Sequence, residues 1–344
     1  MSDFSSRYSR QILFPEIGEK GQEQLAKARV LIVGCGALGT VQADILCRAG
    51  VGFLRLADRD LVEASNLHRQ TLFSEDDARE GMPKAAAARR RLNQINSQVE
   101  VEARVTDVDA GNIESLAAEV DCILDATDNF ETRFLINDVS VKHGIPWIYG
   151  AAVGSYGLAM TVIPRETPCL RCIFEDMPAP GTAPTCDTAG VLAPAVTIIA
   201  SLQAAEALKI VTGNRHRICR KLVQIDVWEN SWKQLEPAGI GRSGECRCCG
   251  LGHFDFLEGG IRSLAASLCG RDSVQIRSAE DHQLDLAELA QRLKRVASVR
   301  INEFLLRFQV EQYEIAVFAD GRGIVRGTRD PQVARSVYAR YVGV

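Results

Sequence analysis

The chain of 344 residues is 46% hydrophobic and 24% charged, a composition that supports a sizeable core and excludes disorder as the main state. Its 40 basic and 44 acidic residues leave a net charge of −4, which excludes a general field for nucleic acid or for an acidic membrane surface. Such a length predicts two domains or so, or one large α/β unit with an appendage.

The amino terminus, Met1-Ser2-Asp3-Phe4-Ser5-Ser6-Arg7, lacks the basic-then-apolar order of a secretion signal, and the chain reads as cytoplasmic. Arg29 to Val33 is a β-branched apolar run ending at Gly34, and an apolar-periodic helix follows over about 38–49. Gly50-Val51-Gly52 closes that helix and Phe53 to Ala57 makes a second strand, finishing at Asp58. A helix over about Lys84 to Ile95 leads into a strand at Val99 to Val105, and Val120 to Leu124 forms a fourth. Strands alternating with helices predict an α/β fold, a Rossmann-like, mostly parallel sheet with helices on both faces. From Ile145 the pattern changes to Gly-rich strands over 147–152 and 158–163, then a Pro-rich loop over 164–184. The most apolar stretch, Val191 to Val211, is broken by Gln203, Glu206 and Lys209 and reads as a buried helix rather than a membrane span. A strand near Leu222 to Val227 follows, and after Gly250 the character shifts again. Residues 1–250 are therefore one expected domain and 251–344 a small C-terminal α+β domain. In the latter, 285–296 and 331–341 read as helices, 299–310 and 313–318 as strands, and Ala319-Asp320-Gly321-Arg322 as a hairpin turn into 323–326.

Gly34-Cys35-Gly36-Ala37-Leu38-Gly39 follows a strand and opens a helix, where backbone N–H groups and the helix dipole hold phosphate oxygens and a Cβ would block their approach. Asp58 lies 19 residues after Gly39 at the end of the next strand, placed for a ribose hydroxyl. The same signature fits NAD, which makes a nicotinamide-dependent oxidoreductase the first alternative. Asn66, Arg69 and Lys84 decide against it, since two cations and an amide suit a triphosphate better than a pyrophosphate. Asp128, after the fourth strand, stands at the carboxyl edge where ligands of this architecture sit and where a carboxylate holds Mg2+.

Six motifs in order, Arg7-Tyr8-Ser9-Arg10-Gln11, Gly34 to Gly39, Asp58, Ser65 to Gln70, Gly81-Met82-Pro83-Lys84 and Thr127-Asp128-Asn129, resemble those of the ThiF/MoeB/HesA adenylyltransferases, bacterial relatives of ubiquitin-activating enzymes. The resemblance covers about residues 5–250. It implies that ATP and Mg2+ are used to adenylylate the C-terminal Gly-Gly carboxylate of a ubiquitin-like sulfur carrier protein, ahead of sulfur transfer in thiamine or molybdopterin biosynthesis. It further implies a homodimer, with Asp58 on the ribose, Asn66, Arg69 and Lys84 on the triphosphate, Asp128 on Mg2+, and Arg10 reaching the phosphates of the neighbouring subunit. A further alternative is an inactive module that only binds a ubiquitin-like partner.

Eleven cysteines are unusual for a reducing compartment, which removes the disulfide explanation. Cys169 with Cys172 and Cys246 with Cys249 form two Cys-x-x-Cys knuckles, 74 residues apart, fit to bind structural Zn2+ with four thiolates; a redox pair is the other reading. The family carries the same two knuckles. Cys186, in a polar Pro/Gly-bordered segment before a helix, reads as an exposed thiol, and it matches the family's loop cysteine, for which a covalent role and a dispensable one are both open. Cys35, Cys47 and Cys122 read as core; Cys219, Cys248 and Cys269 have no assignment. The C-terminal extension is too short for a rhodanese domain, so sulfur is expected from a separate donor protein. The extension itself is either a docking element or a structural cap.

Overall fold

A computed structural model describes residues 6–177, 189–237, 244–259, 265–267, 272–276 and 284–342. The chain divides into two compact units, Met1–Gly260 and Ile261–Val344. The division falls later than residue 250, because Leu257 is buried in the first unit's core with Phe254 and Phe256 packed against it.

The first unit is built on an eight-stranded sheet: β1 Arg29–Val33, β2 Phe53–Ala57, β3 Glu100–Arg104, β4 Cys122–Asp125, β5 Trp147–Val153, β6 Tyr156–Val162, β7 Leu222–Asp226 and β8 Ser231–Leu235. Their order is β3-β2-β1-β4-β5-β6-β7-β8. The pairs among β1 to β5 are parallel and those from β5 to β8 antiparallel. β1 and β4 are covered on both faces, which is why Val30, Leu31, Ile32, Ile123 and Leu124 form unbroken buried runs. The chain leaves β1 for β2 on one side and returns to β4 on the other, and the carboxyl ends of these neighbours make the switch point at which open α/β sheets take ligands.

The helix Ala193–Val211 packs on the helix Ala37–Ala49 and on β5 and β6. By length and composition it could cross a membrane, yet its interrupting polar residues are spent inside the fold. Gln203 Nε2 donates to Asp125 O at 2.7 Å and Ile148 O at 3.0 Å, and Glu206 accepts from Thr161 Oγ1 at 3.1 Å and Cys219 N at 2.8 Å. A Cβ on Gly150 would lie 2.3 Å from the Gln203 side chain, so the glycine in β5 is what lets this helix press so close.

The sequence pattern offered no helix after Asp128, yet Phe130–His143 is one, capped by Asn129, whose Oδ1 accepts from Thr132 N at 2.8 Å, and closed by Gly144 in the left-handed region. Arg133 to Ser140 are all buried, because the helix is covered on more than one face, and a helix covered all round loses the apolar stripe that periodicity detects. The Pro-rich stretch likewise contains a turn of helix, Leu170–Ile173.

In the second unit, β9 Ala265–Ser267, β10 Ser273–Ile276, β11 Ser298–Ile301, β12 Leu305–Val310, β13 Tyr313–Phe318 and β14 Gly323–Arg326 form an antiparallel sheet ordered β11-β12-β13-β14-β10-β9. The helices Leu286–Leu293 and Pro331–Tyr341 bury Leu289, Leu293, Ala334 and Tyr338 with Leu306, Phe308, Ile315 and Val325 of that sheet. The single strand expected over 299–310 is a hairpin: Asn302 Oδ1 accepts from Phe304 N at 2.9 Å and Leu305 N at 3.0 Å and turns the chain back on itself.

Candidate functional site

Three strand ends meet at the switch point. After β1, Gly34 takes φ +97, and a Cβ there would lie 2.5 Å from Ala126 O; a Cβ on Gly39 would lie 2.0 Å from Gly34 O. These two glycines are demanded by the turn itself. Gly36 differs: the nearest atom to its Cβ position is Gln70 Nε2 at 3.9 Å, so its open face is where a phosphate can meet backbone N–H groups at the start of the helix Ala37–Ala49.

Asp58, after β2, fastens the turn to its own strand end. Its Oδ2 accepts from Cys35 N and its Oδ1 from Asp60 N, both at 2.6 Å. Burial pushes its carboxyl above the usual range, with the Lys84 charge pulling the other way. Lys84 opens the helix Lys84–Ile95 with only 4% exposure, and its Nζ donates to Asp60 Oδ2 at 2.9 Å. A lysine so buried at the rim of a ligand edge is a held charge rather than a solvated helix start. Arg59, from the same strand end, donates to Asp107 Oδ1 at 3.1 Å.

Asn66 is buried in a turn of 3-10 helix, where its Oδ1 accepts from Glu63 N at 3.2 Å. Arg69, half-buried, donates from Nη1 to Ser65 O at 2.9 Å. Gln70, three per cent exposed, keeps an Oε1 that has no partner among the described residues. A buried, unpaired acceptor beside the open face of Gly36 fits a ligand that brings a donor.

Asp125, the last residue of β4, is fully buried and accepts from Thr127 N at 2.9 Å, Thr127 Oγ1 at 2.7 Å and Arg133 Nε at 3.3 Å. Burial raises its carboxyl despite the neighbouring guanidinium. Arg133 Nη2 also donates to Thr127 O at 2.7 Å, so the pair fixes the turn from which Asp128 projects. Asp128 is exposed and close enough for its charge to act on Arg59 and Arg133. The helix cap is its neighbour Asn129, which leaves the Asp128 carboxylate available to a cation carried by phosphates. Arg133 and Asp60 are site-shaping residues outside the sequence motifs, whereas Gln70 and Asp125 stand in or beside those motifs without a role of their own in the sequence reading.

Of the amino-terminal motif, Tyr8 and Gln11 are anchors: Tyr8 Oη accepts from Asn96 Nδ2 at 2.8 Å and Gln11 Nε2 donates to Ala49 O at 2.9 Å. Arg10 is exposed and has no partner among the described residues.

The two knuckles come together apart from this edge. The Sγ atoms of Cys169, Cys172, Cys246 and Cys249 all lie within 4.8 Å of one another, with 169–172 and 169–246 at 3.7 Å and 172–249 at 3.4 Å. A tetrahedron with Zn–S bonds of about 2.3 Å has edges of about 3.8 Å, so the donor set fits Zn2+ in type and spacing. Cys248 is buried and accepts from Asn137 Nδ2 at 3.3 Å. Cys35, Cys47 and Cys122 are buried, and burial pushes the Cys47 thiol to about 11. Cys186 and Cys269 lie outside the described residues.

Residues 8–248 match the ThiF family. The chain is 46% identical over 341 residues to the sulfur carrier protein ThiS adenylyltransferase of Bacillus subtilis, across 98% of this chain and 100% of that protein. It is 38% identical over 252 residues to the SAMP-activating enzyme E1 of Haloferax volcanii, across 73% of this chain and 91% of that one. Among solved structures, E. coli MccB with ATP aligns with a TM-score of 0.61 at 26% identity, covering 73% of this chain and 76% of that chain.

Proposed function

The chain belongs to the ThiF family, and from that premise we propose that it is the enzyme that adenylylates the C-terminal Gly-Gly carboxylate of a ubiquitin-like, ThiS-type sulfur carrier protein. The observation that carries this reading is the meeting, at one sheet edge, of an open glycine face at Gly36, the Asp58 carboxylate, the held Lys84 charge and the projecting Asp128. Likeness to the Bacillus ThiS adenylyltransferase across 98% of this chain and 100% of that protein supports the choice of a ThiS-type carrier.

A carrier carboxylate oxygen attacks the α-phosphorus of ATP, the bond to the bridging oxygen breaks, and pyrophosphate leaves. The attacking carboxylate is already ionised, so no general base is needed; the work is to bring two anions together and neutralise the departing charge. In this proposal Gly34, Gly36 and Gly39 shape the phosphate turn, Asp58 accepts from the ribose, and Asn66, Arg69 and Lys84 face the triphosphate. Asp128 holds Mg2+, which when bound shields the phosphate charge. Arg10, projecting without a partner among the described residues, serves the neighbouring active site of a homodimer. The four-cysteine cluster holds structural Zn2+, and a separate protein donates the sulfur. Cys186 acts, if it acts covalently, only after adenylylation.

The test is carrier-dependent exchange of labelled pyrophosphate into ATP. Exchange with a ThiS-type carrier, lost in Asp128→Ala and nearly intact in Cys186→Ala, is the expected result. No exchange with any Gly-Gly carrier defeats the proposal, and binding of a nicotinamide cofactor without ATP binding would return the reading to an oxidoreductase.

A further inference from the structure

Away from the sheet edge, one buried side chain reaches both cysteine knuckles. Asn137 lies in the middle of the helix Phe130–His143 and has no exposed surface. Its Oδ1 accepts from Leu170 N at 2.7 Å, inside the first knuckle. Its Nδ2 donates to Cys248 Sγ at 3.3 Å, inside the second. A buried amide needs a partner at each end, and both of this one's partners sit on the two segments whose thiols must be brought together.

The surroundings fix the same join. Asp138 Oδ2 accepts from Phe256 N at 2.9 Å, Phe134 stacks on Phe256 with ring centroids 4.8 Å apart, and Arg171 Nη1 donates to Asp255 Oδ2 at 2.7 Å. These contacts hold the chain beside each knuckle. Asp255 also reaches both segments, since its Oδ1 accepts from Arg247 Nη2 at 3.3 Å, but it does so from a partly exposed carboxylate through two long side chains, whereas the Asn137 amide is buried and bonds directly to a backbone N–H of one segment and a thiol of the other. That thiol, Cys248, is the fifth of the neighbourhood and lies close to Cys169 and Asp138 but outside the group of four whose sulfurs all lie within 4.8 Å of one another.

We propose that Asn137 is a positioning residue for the metal: it sets the two knuckles in register and holds Cys248 out of the coordination shell. The inference rests on the zinc reading given above. Groups outside the coordination shell that orient metal ligands are worth about 10–100-fold in metal affinity, and a clamp acting on both ligand pairs shows in the rate at which metal escapes.

The experiment is extraction of Zn2+ from the zinc-loaded full chain by a chromogenic chelator, with metal content measured beforehand. Asn137→Leu keeps the volume and removes both bonds, and release is expected to be at least ~10-fold faster. Asn137→Asp keeps the acceptor for Leu170 N and loses the donor to Cys248, so its release rate is expected between the two. Unchanged release in a folded Asn137→Leu overturns the inference. Should that variant fail to fold, Cys248→Ala decides: one Zn2+ per chain with faster release supports the clamp, whereas unchanged release, or loss of the metal because Cys248 is itself a ligand, overturns it. Wild-type protein that holds no Zn2+ defeats the zinc reading itself; bound Zn2+ with unaltered release in the variants defeats only the role of Asn137.

Discussion

Replacing Arg133 with Met tests whether the Asp125–Arg133 pair stabilises the nucleotide edge by charge or by bulk. Asp125 has no exposed surface and the Arg133 side chain only 8%, with the guanidinium 5.3 Å from the Phe130 ring centroid and 5.4 Å from that of Tyr149. Methionine keeps most of that apolar contact and removes the cation. The carboxylate is then left buried with only the neutral donors of Thr127 and Gly150 N, and breaking a buried pair from one side costs about 3–5 kcal/mol. For a unit of this size that is a fall in melting temperature of about 6–20 °C. The double variant Asp125→Asn, Arg133→Met keeps acceptors for Thr127 without a charge, so it is expected to recover at least half of the loss. The pH dependence has a definite sign. The buried Asp125 carboxyl, raised already in the wild type, rises further without the cation; its protonated form favours the fold, so the deficit of the single variant shrinks as pH falls and grows as pH rises. Thermal melting of single and double variants at several pH values measures this. A double variant as unstable as the single one, with a deficit indifferent to pH, would refute the charge argument and assign the cost to packing.

Gly39→Ala places a Cβ 2.0 Å from Gly34 O, a backbone atom that cannot swing aside, so a loss of about 1–3 kcal/mol is expected in denaturant melts together with loss of ATP binding. Gly36→Ala meets nothing closer than 3.9 Å and is expected to melt like the wild type while binding ATP at least tenfold more weakly by calorimetry; wild-type affinity would remove the phosphate from that face. Asp138 is buried and its carboxyl is pushed up to about 6 from 3.8. The stability it contributes is therefore present below pH 3.8 and lost as pH rises through about 6, a swing of about 3 kcal/mol. Asp138→Asn, which keeps an acceptor for Phe256 N, is expected to lose less stability than the wild type between pH 5 and pH 8, and equal losses would show that this carboxyl does not titrate in the fold.

Most of the edge was legible because it follows from strand and turn chemistry. Arg29–Val33, Phe53–Ala57 and Lys84–Ile95 carry strong local patterns and occur with those bounds, and the Gly34 turn and Asp58 sit where a strand end must put them. What escaped the patterns is what depends on partners distant in sequence. Arg133 looks like any charged helix residue until Asp125 closes on it, and Gln203 looks like an interruption of an apolar helix until its amide meets the backbone of β4 and β5. The split of 299–310 was missed because Asn302 was read as a strand residue, although asparagine accepting from its own following backbone is a turn signal. Cys248 stands next to Cys249 in the sequence, and only the fold shows that it lies outside the group of four and that its sulfur accepts from Asn137 Nδ2.

The helix Phe130–His143 explains why this family of positions tolerates so many polar residues in one buried segment. Its amino end caps on Asn129 and presents Asp128 to the ligand edge, and its first turn carries Arg133 to Asp125. One turn further on, Asn137 and Asp138 hold the two knuckles and the segment after them. At 1.5 Å per residue, Asn137 stands about 12 Å along the axis from Asn129. The same helix thus meets the ligand edge at its amino end and the cysteine knuckles about two turns further along. A cluster with all four positions filled by thiols leaves no open coordination site for substrate. Ligand type and count thus favour a structural metal for this group over a catalytic one.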